Sequence, residues 1–204
     1  NAMLADKYDH FFDPRGEFLV KVVGSVIARL GSKRLPYKNL LPFDGVPLVR
    51  RAVEFLENCP EVDEVVVSTE SELVARTCRG TGAKILPRPA ELAGDEVPSV
   101  PVFRHLVEHF PCEVHVNYNC NFPICDPDVV TRSIELARQT GEALSEPFAV
   151  WTQTRERLEN YGDPFDITAT RFQDDRICPV DVHEEGDLLE IHRLHQEGFN
   201  EKWG

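Results

Sequence analysis

The sequence predicts an α/β protein in which a mostly parallel β-sheet lies between two layers of helices, a three-layer αβα arrangement. Segments typical of buried strands alternate with segments that carry apolar residues at helical spacing. This alternation favours strand–helix–strand connections, which place helices on both faces of a parallel sheet. The 204 residues can form a core without disulfides or metals. In such a sheet, ligands bind beyond the carboxyl ends of the strands.

Strands and helices can be placed in order along the chain. Runs of β-branched and apolar residues predict strands at 18–28, 65–67, 84–86, 113–118 and 148–152. Helical spacing, with cap residues at 71, 126, 141 and 198, predicts helices at 48–58, 72–79, 99–110, 127–139 and 185–196. Residues 155–176 are weakly periodic and are predicted to be mixed. One domain is expected over 18–204, after an N-terminal extension at 1–17 whose first three residues match a tag remnant.

Composition excludes several classes of partner. The net charge is −13, from 22 basic and 35 acidic residues, which argues against binding to nucleic acid or to an acidic membrane surface. No apolar run approaches the roughly 18 residues that a membrane-spanning helix needs, so no membrane partner is expected. Six scattered cysteines without a CxxC pair predict reduced thiols and a cytoplasmic protein.

One basic segment stands out in this acidic chain. Between Glu17 and Asp44 there is no acidic residue. The segment contains five basic residues, Lys21, Arg29, Lys33, Arg34 and Lys38. Such an island suits a small polyanion better than a long one.

The loop at 29–39, which follows the first predicted strand, has the residue types of a phosphate-binding loop. Gly31 permits close approach of the backbone, and Ser32 supplies a hydroxyl donor. The loop also supplies cations suited to phosphate, namely Arg29, Lys33 and Lys38. The GxxxxGK[ST] spacing of a Walker A loop is absent. The alternative interpretation is a solvated basic loop without a ligand.

Four stretches of the chain resemble a known family. Residues 26–39, Val-Ile-Ala-Arg-Leu-Gly-Ser-Lys-Arg-Leu-Pro-Tyr-Lys-Asn, are similar to the N-terminal signature of cytidylyltransferases that activate acidic keto-sugars. These are the acylneuraminate (CMP-sialic acid) synthetases and their CMP-Kdo synthetase relatives. The similarity continues in Gly-Val-Pro-Leu at 45–48, Val-Val-Ser-Thr at 66–69 and Arg-Pro-Ala-Glu-Leu-Ala-Gly-Asp at 88–95. The resemblance implies a Rossmann-like fold of the nucleotide-diphospho-sugar transferase type.

The resemblance also implies a reaction and roles for individual residues. CTP would react with a sugar acid, such as a nonulosonic acid of the sialic-acid type, to give a CMP-sugar and pyrophosphate. Arg29, Ser32 and Lys33 would face the β- and γ-phosphates, and Lys38 would lie near the α-phosphate. The implied nucleotide-binding residues are Ala28, Leu30, Gly31, Ser32, Asn39, Arg88, Ser99 and Asn119. Of these, Arg88 and Ser99 would contact cytidine or ribose.

Two further stretches imply a metal site with altered ligands. Residues 116–127 are similar to the V-N-x-Q-G-D-x-P-L-I-x-P stretch of the Kdo branch, with Asn121 at the metal-binding aspartate. Residues 181–188 resemble the terminal D-I-D-x-x-E-D-L motif, in which Asp181 matches the first aspartate and His183 replaces the second. The implied cofactor is Mg²⁺. Mn²⁺ is a second candidate, because the imidazole of His183 is a poor ligand for Mg²⁺ but could bind Mn²⁺ or Zn²⁺.

Two alternatives stay open. The first is the same reaction with Kdo or another surface-polysaccharide sugar. The second is a nucleotide-binding homologue that has lost transfer activity and has a binding or regulatory role. The resemblance raises a homodimer as an option, and residues 140–178 correspond to a shortened and divergent form of the family's dimerisation and sugar-side region. For the acceptor's carboxylate, the candidate cations are Arg155, Arg157 and Arg171.

Overall fold

The computed structural model describes residues 11–199, so the predicted tag remnant at 1–3 lies outside the described residues. The strands are β1 (Val22–Ile27), β2 (Pro42–Phe43), β3 (Val46–Pro47), β4 (Glu64–Thr69), β5 (Lys84–Pro87), β6 (Val114–Tyr118), β7 (Glu142–Glu146), β8 (Val150–Thr154) and β9 (Thr170–Gln173). The α-helices are α1 (Leu48–Glu57), α2 (Glu72–Thr77), α3 (Ser99–His109), α4 (Asp128–Thr140), α5 (Arg155–Glu159) and α6 (Glu185–Gln196).

Seven strands form one central sheet, and this confirms the predicted mostly parallel αβα architecture. The strand order is β5-β4-β1-β6-β8-β7-β9. Strands β5, β4, β1 and β6 are parallel to one another. Strand β8 runs antiparallel to both neighbours, and β9 is parallel to β7. Strand β1 therefore lies inside the parallel half of the sheet, and the loop that follows it opens at the carboxyl edge.

Helices cover both faces of the sheet. One apolar core lies between the sheet and α1, α2 and α4, and a second lies under α3 and α5. Gly24 of β1 explains how closely α1 approaches, because a Cβ atom there would lie 2.9 Å from Cγ1 of Val62 and 3.3 Å from Cδ1 of Leu56. Within residues 11–199, no helix combines the length and the apolar character required to cross a bilayer.

Most predicted elements are confirmed, with shifted boundaries. Strand β1 begins at Val22 rather than at 18, and Leu19 before it is 61% exposed. Ser71 caps α2 as predicted, because its hydroxyl accepts a hydrogen bond from the Val74 amide at 3.3 Å. Helix α4 begins at Asp128 rather than 127, while the Asp126 carboxylate accepts the Asp128 amide at 2.8 Å. Polar side chains at these ends shape the boundaries more than apolar periodicity does.

Three strands, β2, β3 and β7, were missed by the sequence analysis. The β2–β3 hairpin turns at Asp44 and Gly45, with φ angles of 49° and 76°. This is the Asp-Gly signal of a type I′ turn. Strand β7 carries glutamates at both ends, so its composition is untypical of a buried strand. Glu142 is nevertheless buried, because three neighbouring side chains donate hydrogen bonds to it.

Candidate functional site

A cavity of about 460 Å³ opens at the carboxyl ends of β1 and β6, where the sheet predicts a ligand site. We call it the site cavity. It is lined by Ile27, Arg29, Gly31, Ser32, Lys33, Arg34, Lys38, Asn39, Asp95, Glu96, Ser99, Asn117, Asn119, Cys120, Asn121, Phe148, Trp151 and His183. The structure thus brings together ten of the predicted site residues, namely Arg29, Gly31, Ser32, Lys33, Lys38, Asn39, Ser99, Asn119, Asn121 and His183.

The phosphate loop, residues 28–39, is held at both ends. The Ala28 amide donates to the Ser68 carbonyl at 3.1 Å, which continues the β1–β4 pairing. The Leu30 amide donates to the Glu70 carboxylate at 2.8 Å. At the far end, Asn39 Nδ2 donates to the Arg29 carbonyl at 2.8 Å. Ala28 and Leu30 therefore anchor the loop and do not line the cavity themselves.

Two cations of the loop pair with one carboxylate. Arg29 Nη1 forms an ion pair with Asp95, and Lys33 Nζ lies 2.7 Å from the other oxygen of the same carboxylate. The side chain of Lys33 is 73% exposed, and that of Asp95 is 32% exposed. An anionic ligand that reaches Arg29 and Lys33 must therefore compete with Asp95.

Lys38 joins the loop to the segment at 181–183. Its ammonium group is buried and donates a hydrogen bond to the Val182 carbonyl at 3.0 Å. Burial lowers the pKa of Lys38, and the nearby Cys120 and Asp181 oppose that shift. Lys38 lines the cavity, and its direct partner is the backbone carbonyl between Asp181 and His183, two of the predicted metal residues.

The end of β6 supplies a row of amides to the cavity. Asn119 accepts the Asn121 amide at 3.1 Å through Oδ1 and donates from Nδ2 to the Phe148 carbonyl at 3.2 Å. The Cys120 thiol donates to Oδ1 of Asn39 at 3.2 Å, which ties this segment to the phosphate loop. Burial raises the pKa of the Cys120 thiol to about 11, so this group is a neutral hydrogen-bond donor.

The predicted metal residues lie near one another. The Val182 amide donates to the Asn121 carbonyl at 3.0 Å, which brings the two segments together. His183 Nε2 lies 2.9 Å from Oδ1 of Asp181, and His183 lines the cavity. Oδ1 of Asp181 is buried, and this contact with His183 lacks hydrogen-bond geometry, so within residues 11–199 the oxygen accepts no hydrogen bond. In that part of the chain, no three His, Cys, Asp or Glu side chains are grouped as a metal site.

Arg88 lies outside the cavity lining. Its guanidinium is buried and donates to the Ser68 carbonyl at 2.6 Å and to the Ser68 hydroxyl at 3.2 Å. Ser99 begins α3 and does line the cavity. Of the two residues expected to contact the nucleoside, the structure therefore exposes Ser99 to the cavity and uses Arg88 to brace the end of β4.

The three arginines considered for a sugar carboxylate are paired elsewhere. Arg155 pairs with Glu159 at 2.7 Å, and Arg157 pairs with Glu142 at 3.1 Å. Arg171 pairs with the carboxylate of Glu146 at 3.0 Å. None of the three lines the site cavity. Among residues 11–199, the Lys and Arg side chains that do line it all come from the phosphate loop.

Sequence reasoning missed part of the cavity. The missed lining residues are Ile27, Arg34, Asp95, Glu96, Asn117, Cys120, Phe148 and Trp151. Asp95 is the last residue of the stretch at 88–95 that resembles the family. Its negative charge, as a partner for the basic loop, was the signal that could have identified it. Phe148 and Trp151 reach the cavity only because β8 pairs antiparallel with β6, where Trp151 lies opposite Asn117.

A buried polar chain lies on the α3 face of the sheet. Ser25 Oγ lies 2.8 Å from His115 Nε2 and 3.2 Å from the Asn117 side-chain oxygen. His115 Nδ1 lies 3.0 Å from the Gln153 side-chain oxygen. Burial lowers the pKa of His115 to about 4, against a weaker opposite effect of Gln153. The chain ends at Asn117, which lines the cavity, so a neutral polar network supports one side of the site.

Comparison with known proteins gives a family match. The family model described as "Cytidylyltransferase" matches residues 23–176. A 3-deoxy-manno-octulosonate cytidylyltransferase from Zea mays is 29% identical over 127 residues, covering 62% of this chain and 42% of the relative. N-acylneuraminate cytidylyltransferase A from Danio rerio is 28% identical over 141 residues, covering 69% of this chain and 33% of the relative. The chain thus spans less than half the length of these curated relatives.

A solved structure supports the fold. The structure of a CMP:2-keto-3-deoxy-manno-octonic acid synthetase complexed with CTP superposes with a TM-score of 0.71 at 17% identity. The match covers 87% of this chain and 99% of that one. At this identity the similarity establishes the shared Rossmann-like nucleotidyltransferase fold, as predicted.

Proposed function

Because the chain belongs to the cytidylyltransferase family, we propose that it binds CTP and transfers the cytidylyl group to an acidic keto-sugar, with a nonulosonic acid as the leading acceptor. The observation that carries this proposal is the site cavity. There the basic phosphate loop faces the amides at 117–121 and the segment at 181–183 at the carboxyl edge of the sheet. By their names, the relatives act on 3-deoxy-manno-octulosonate and on N-acylneuraminate, which are both sugar acids.

The proposed reaction is a single displacement at phosphorus. The anomeric hydroxyl oxygen of the sugar acid forms a bond to the α-phosphorus of CTP. The bond from that phosphorus to the α,β-bridging oxygen breaks, pyrophosphate leaves, and the hydroxyl proton is released to water. No covalent enzyme intermediate is required, so the protein contributes positioning and charge neutralisation.

The phosphate loop supplies both contributions. Arg29, Ser32 and Lys33 would bind the β- and γ-phosphates, with the phosphates replacing the Asp95 carboxylate on Arg29 and Lys33. Lys38 would lie near the α-phosphate while its ammonium group holds the Val182 carbonyl. The cations of this loop would also have to meet the acceptor's carboxylate, since the three arginines considered for it lie elsewhere.

The residues present fit a divalent metal that arrives with the nucleotide. The buried Oδ1 of Asp181, which contacts His183 without accepting a hydrogen bond, is one hard anionic ligand, and Asn121 and His183 are neighbours that could add neutral ligands. One carboxylate suffices for Mg²⁺ where phosphates and water fill its remaining positions. Bound there, Mg²⁺ or Mn²⁺ would neutralise phosphate charge. We therefore expect Mn²⁺ binding, followed by electron paramagnetic resonance, to need CTP and to weaken in Asp181→Asn.

A second candidate function is nucleotide binding without transfer. The observation that favours it is the metal segment, in which His183 replaces an expected carboxylate and lies against Asp181. This homologue would keep the phosphate loop and bind CTP as a binding or regulatory protein.

One experiment separates the two candidates. The protein is incubated with CTP, Mg²⁺ or Mn²⁺ and a sugar acid, either N-acetylneuraminate or 3-deoxy-manno-octulosonate, and pyrophosphate release is measured. Turnover that depends on both substrates supports the synthetase. CTP binding by calorimetry without turnover on either acid supports the non-catalytic homologue. Absence of nucleotide binding contradicts both, and parallel reactions with ATP, GTP and UTP test the preference for cytosine.

A further inference from the structure

Two aromatic side chains form one side of the site cavity, and neither has a role in the proposed reaction. Phe148 and Trp151, which we call the aromatic wall, have ring centroids 5.7 Å apart in an edge-on arrangement. Phe148 is 39% exposed, whereas Trp151 is almost fully buried and packs edge-on against Phe103 of α3 at 5.3 Å. An exposed aromatic ring beside a cavity offers apolar surface that a ligand can cover.

The Trp151 ring of the wall is held by the buried carboxylate of Glu142. Trp151 Nε1 donates to Oε1 of Glu142 at 2.8 Å, and the Tyr161 hydroxyl donates to the same oxygen at 3.0 Å. Arg157 Nε donates to Oε2 at 3.1 Å. The side chain of Glu142 is only 3% exposed. Since a buried charge is tolerated only when it is paired, this network holds the indole ring in one orientation.

The wall and the paired cations lie on different sides of β1. In the strand order, β1 lies between β5 and β8. Arg29 and Lys33 reach Asp95, in the segment after β5, so negative charge of a ligand gathers on that side. The wall lies on the β8 side of the cavity. The lining residues there, which come from β6, from β8 and from the turns beside them, carry aromatic rings and the amides of Asn117 and Asn119. This side suits an uncharged part of a ligand that carries both hydroxyl and C–H groups.

We infer that the aromatic wall packs against the apolar C–H face of the acceptor sugar and that Phe148 and Trp151 determine acceptor specificity, with Glu142 as the positioning residue for Trp151. The inference rests on the proposed function, because it assigns the second substrate of that reaction. Polarised C–H groups of a sugar face the negative surface of an aromatic ring, and the asparagine amides bind its hydroxyls. The alternative is that the cytosine base of CTP packs against the wall, and the CTP affinity of a wall variant distinguishes the base from the sugar.

Phe148→Ala tests the wall with little effect on the core. We expect the KM for the sugar acid to rise about 5- to 10-fold, while the Kd for CTP stays within about twofold of the parent. Phe165→Ala is the matched control, because Phe165 is 72% exposed and lies outside the cavity lining. A larger loss of CTP affinity than of acceptor affinity in Phe148→Ala overturns the inference in favour of the base.

The role of Glu142 is tested by two variants that each remove one donor to the same oxygen. Trp151→Phe and Tyr161→Phe both delete a hydrogen bond to Oε1 of Glu142, but only Trp151 lines the cavity. We expect Trp151→Phe to raise the acceptor KM severalfold more than Tyr161→Phe does, with similar kcat. Equal effects of the two variants would mean that the network acts on stability alone, which contradicts a positioning role.

Fluorescence gives a readout that does not depend on turnover. The chain has two tryptophans, so in a Trp203→Phe background Trp151 is the only source of indole emission. Saturating N-acetylneuraminate or 3-deoxy-manno-octulosonate, with CTP present, is expected to change this emission. A protein that binds CTP but whose Trp151 emission responds to neither acid overturns the inference. Pyrophosphate release judges the proposed function separately, so the two can fail independently.

Discussion

Lys33 offers the most direct single-residue test of the phosphate loop. Its side chain is 73% exposed, so we expect Lys33→Ala to remove a charge and to leave the fold intact. Since a hydrogen bond between charged groups contributes about 1.5 kcal/mol or more, we expect the Kd for CTP to rise at least about tenfold. Calorimetry measures this directly. Lys21→Ala is the control, because Lys21 pairs with Glu17 before β1, and an equal effect of both variants would remove the loop from the site.

Asp95 is expected to have the opposite effect on nucleotide affinity. Its carboxylate pairs with Arg29 and Lys33, which are the cations proposed to bind the triphosphate. Asp95→Asn keeps the size of the side chain and removes the competing charge, so we expect tighter CTP binding by about two- to fivefold. Affinity should also fall more steeply with added salt, because one more cation is available to the phosphates. Weaker CTP binding in Asp95→Asn would instead show that this carboxylate assists the ligand.

At the residue scale, the sequence identified cavity-lining residues best where they come from one continuous segment. Residues 29–39 are neighbours in sequence, and their glycine, hydroxyl and cations indicate phosphate without any tertiary information. Asp95 and Trp151 depend on packing between distant segments, which no local pattern contains. Arg88 was expected to contact the nucleoside, and its burial against Ser68 follows from the β4–β5 pairing.

At the scale of elements, caps made helices more predictable than strands. Helix α6 has the predicted limits, Glu185–Gln196, and a capping box in which Glu184 and Asp187 bond each other's backbone. Strand β7 escaped prediction because a buried glutamate interrupts its apolar pattern. Its burial depends on Trp151, Arg157 and Tyr161, which come from other elements. A strand stabilised by a tertiary salt bridge cannot be recognised from its own composition.

Asp174 follows β9, ties this segment to α4 and gives an element-scale prediction. Its side chain is 2% exposed, and it pairs with Arg132 of α4 and with Arg176, each at 2.9 Å. Because Asp174→Asn removes the buried charge that both guanidinium groups bind, we expect this variant to lower the free energy of unfolding by about 2 kcal/mol at pH 7. Urea denaturation measures this, with the exposed neighbour variant Asp175→Asn as control.

The pH dependence of this pair has a definite sign. Burial alone would raise the pKa of Asp174, but hydrogen bonds from Arg176 and Arg132 outweigh it and lower the pKa to about 2 from the ordinary 3.8. The folded protein therefore holds the carboxylate ionised at pH values where the unfolded chain binds a proton. Its contribution to stability is complete above about pH 4 and is lost as the pH falls toward 2. A parent and an Asp174→Asn variant with parallel stability curves across that range would contradict the pairing.

At the scale of the whole molecule, alternation of strands and helices was enough to predict the architecture. It was not enough to predict that strand β8 runs antiparallel to both of its neighbours. This direction places the first residues of β8 beside the carboxyl end of β6, at the site cavity. The same limit applies to function. The phosphate side of the cavity comes from one loop, whereas the opposite side combines β6, β8 and the turn before β8. A nucleotide-binding loop could therefore be proposed from sequence alone, whereas the residues on the opposite side of the cavity could be identified only from the structure.

The buried polar chain on the α3 face of the sheet, which includes His115, predicts how global stability depends on pH. His115 has a folded pKa of about 4 against an ordinary value of 6.5, so between these values the unfolded chain binds a proton that the folded protein excludes. Stability is therefore full above about pH 6.5 and declines as the pH falls, by about 3 kcal/mol at pH 4 from this group. We expect His115→Gln to be less stable at pH 7 but to show a flatter decline in urea denaturation between pH 6.5 and 4.5. His109→Gln removes an exposed histidine and should keep the parent's slope, and an unchanged slope in His115→Gln would mean that the buried ring does not control this decline.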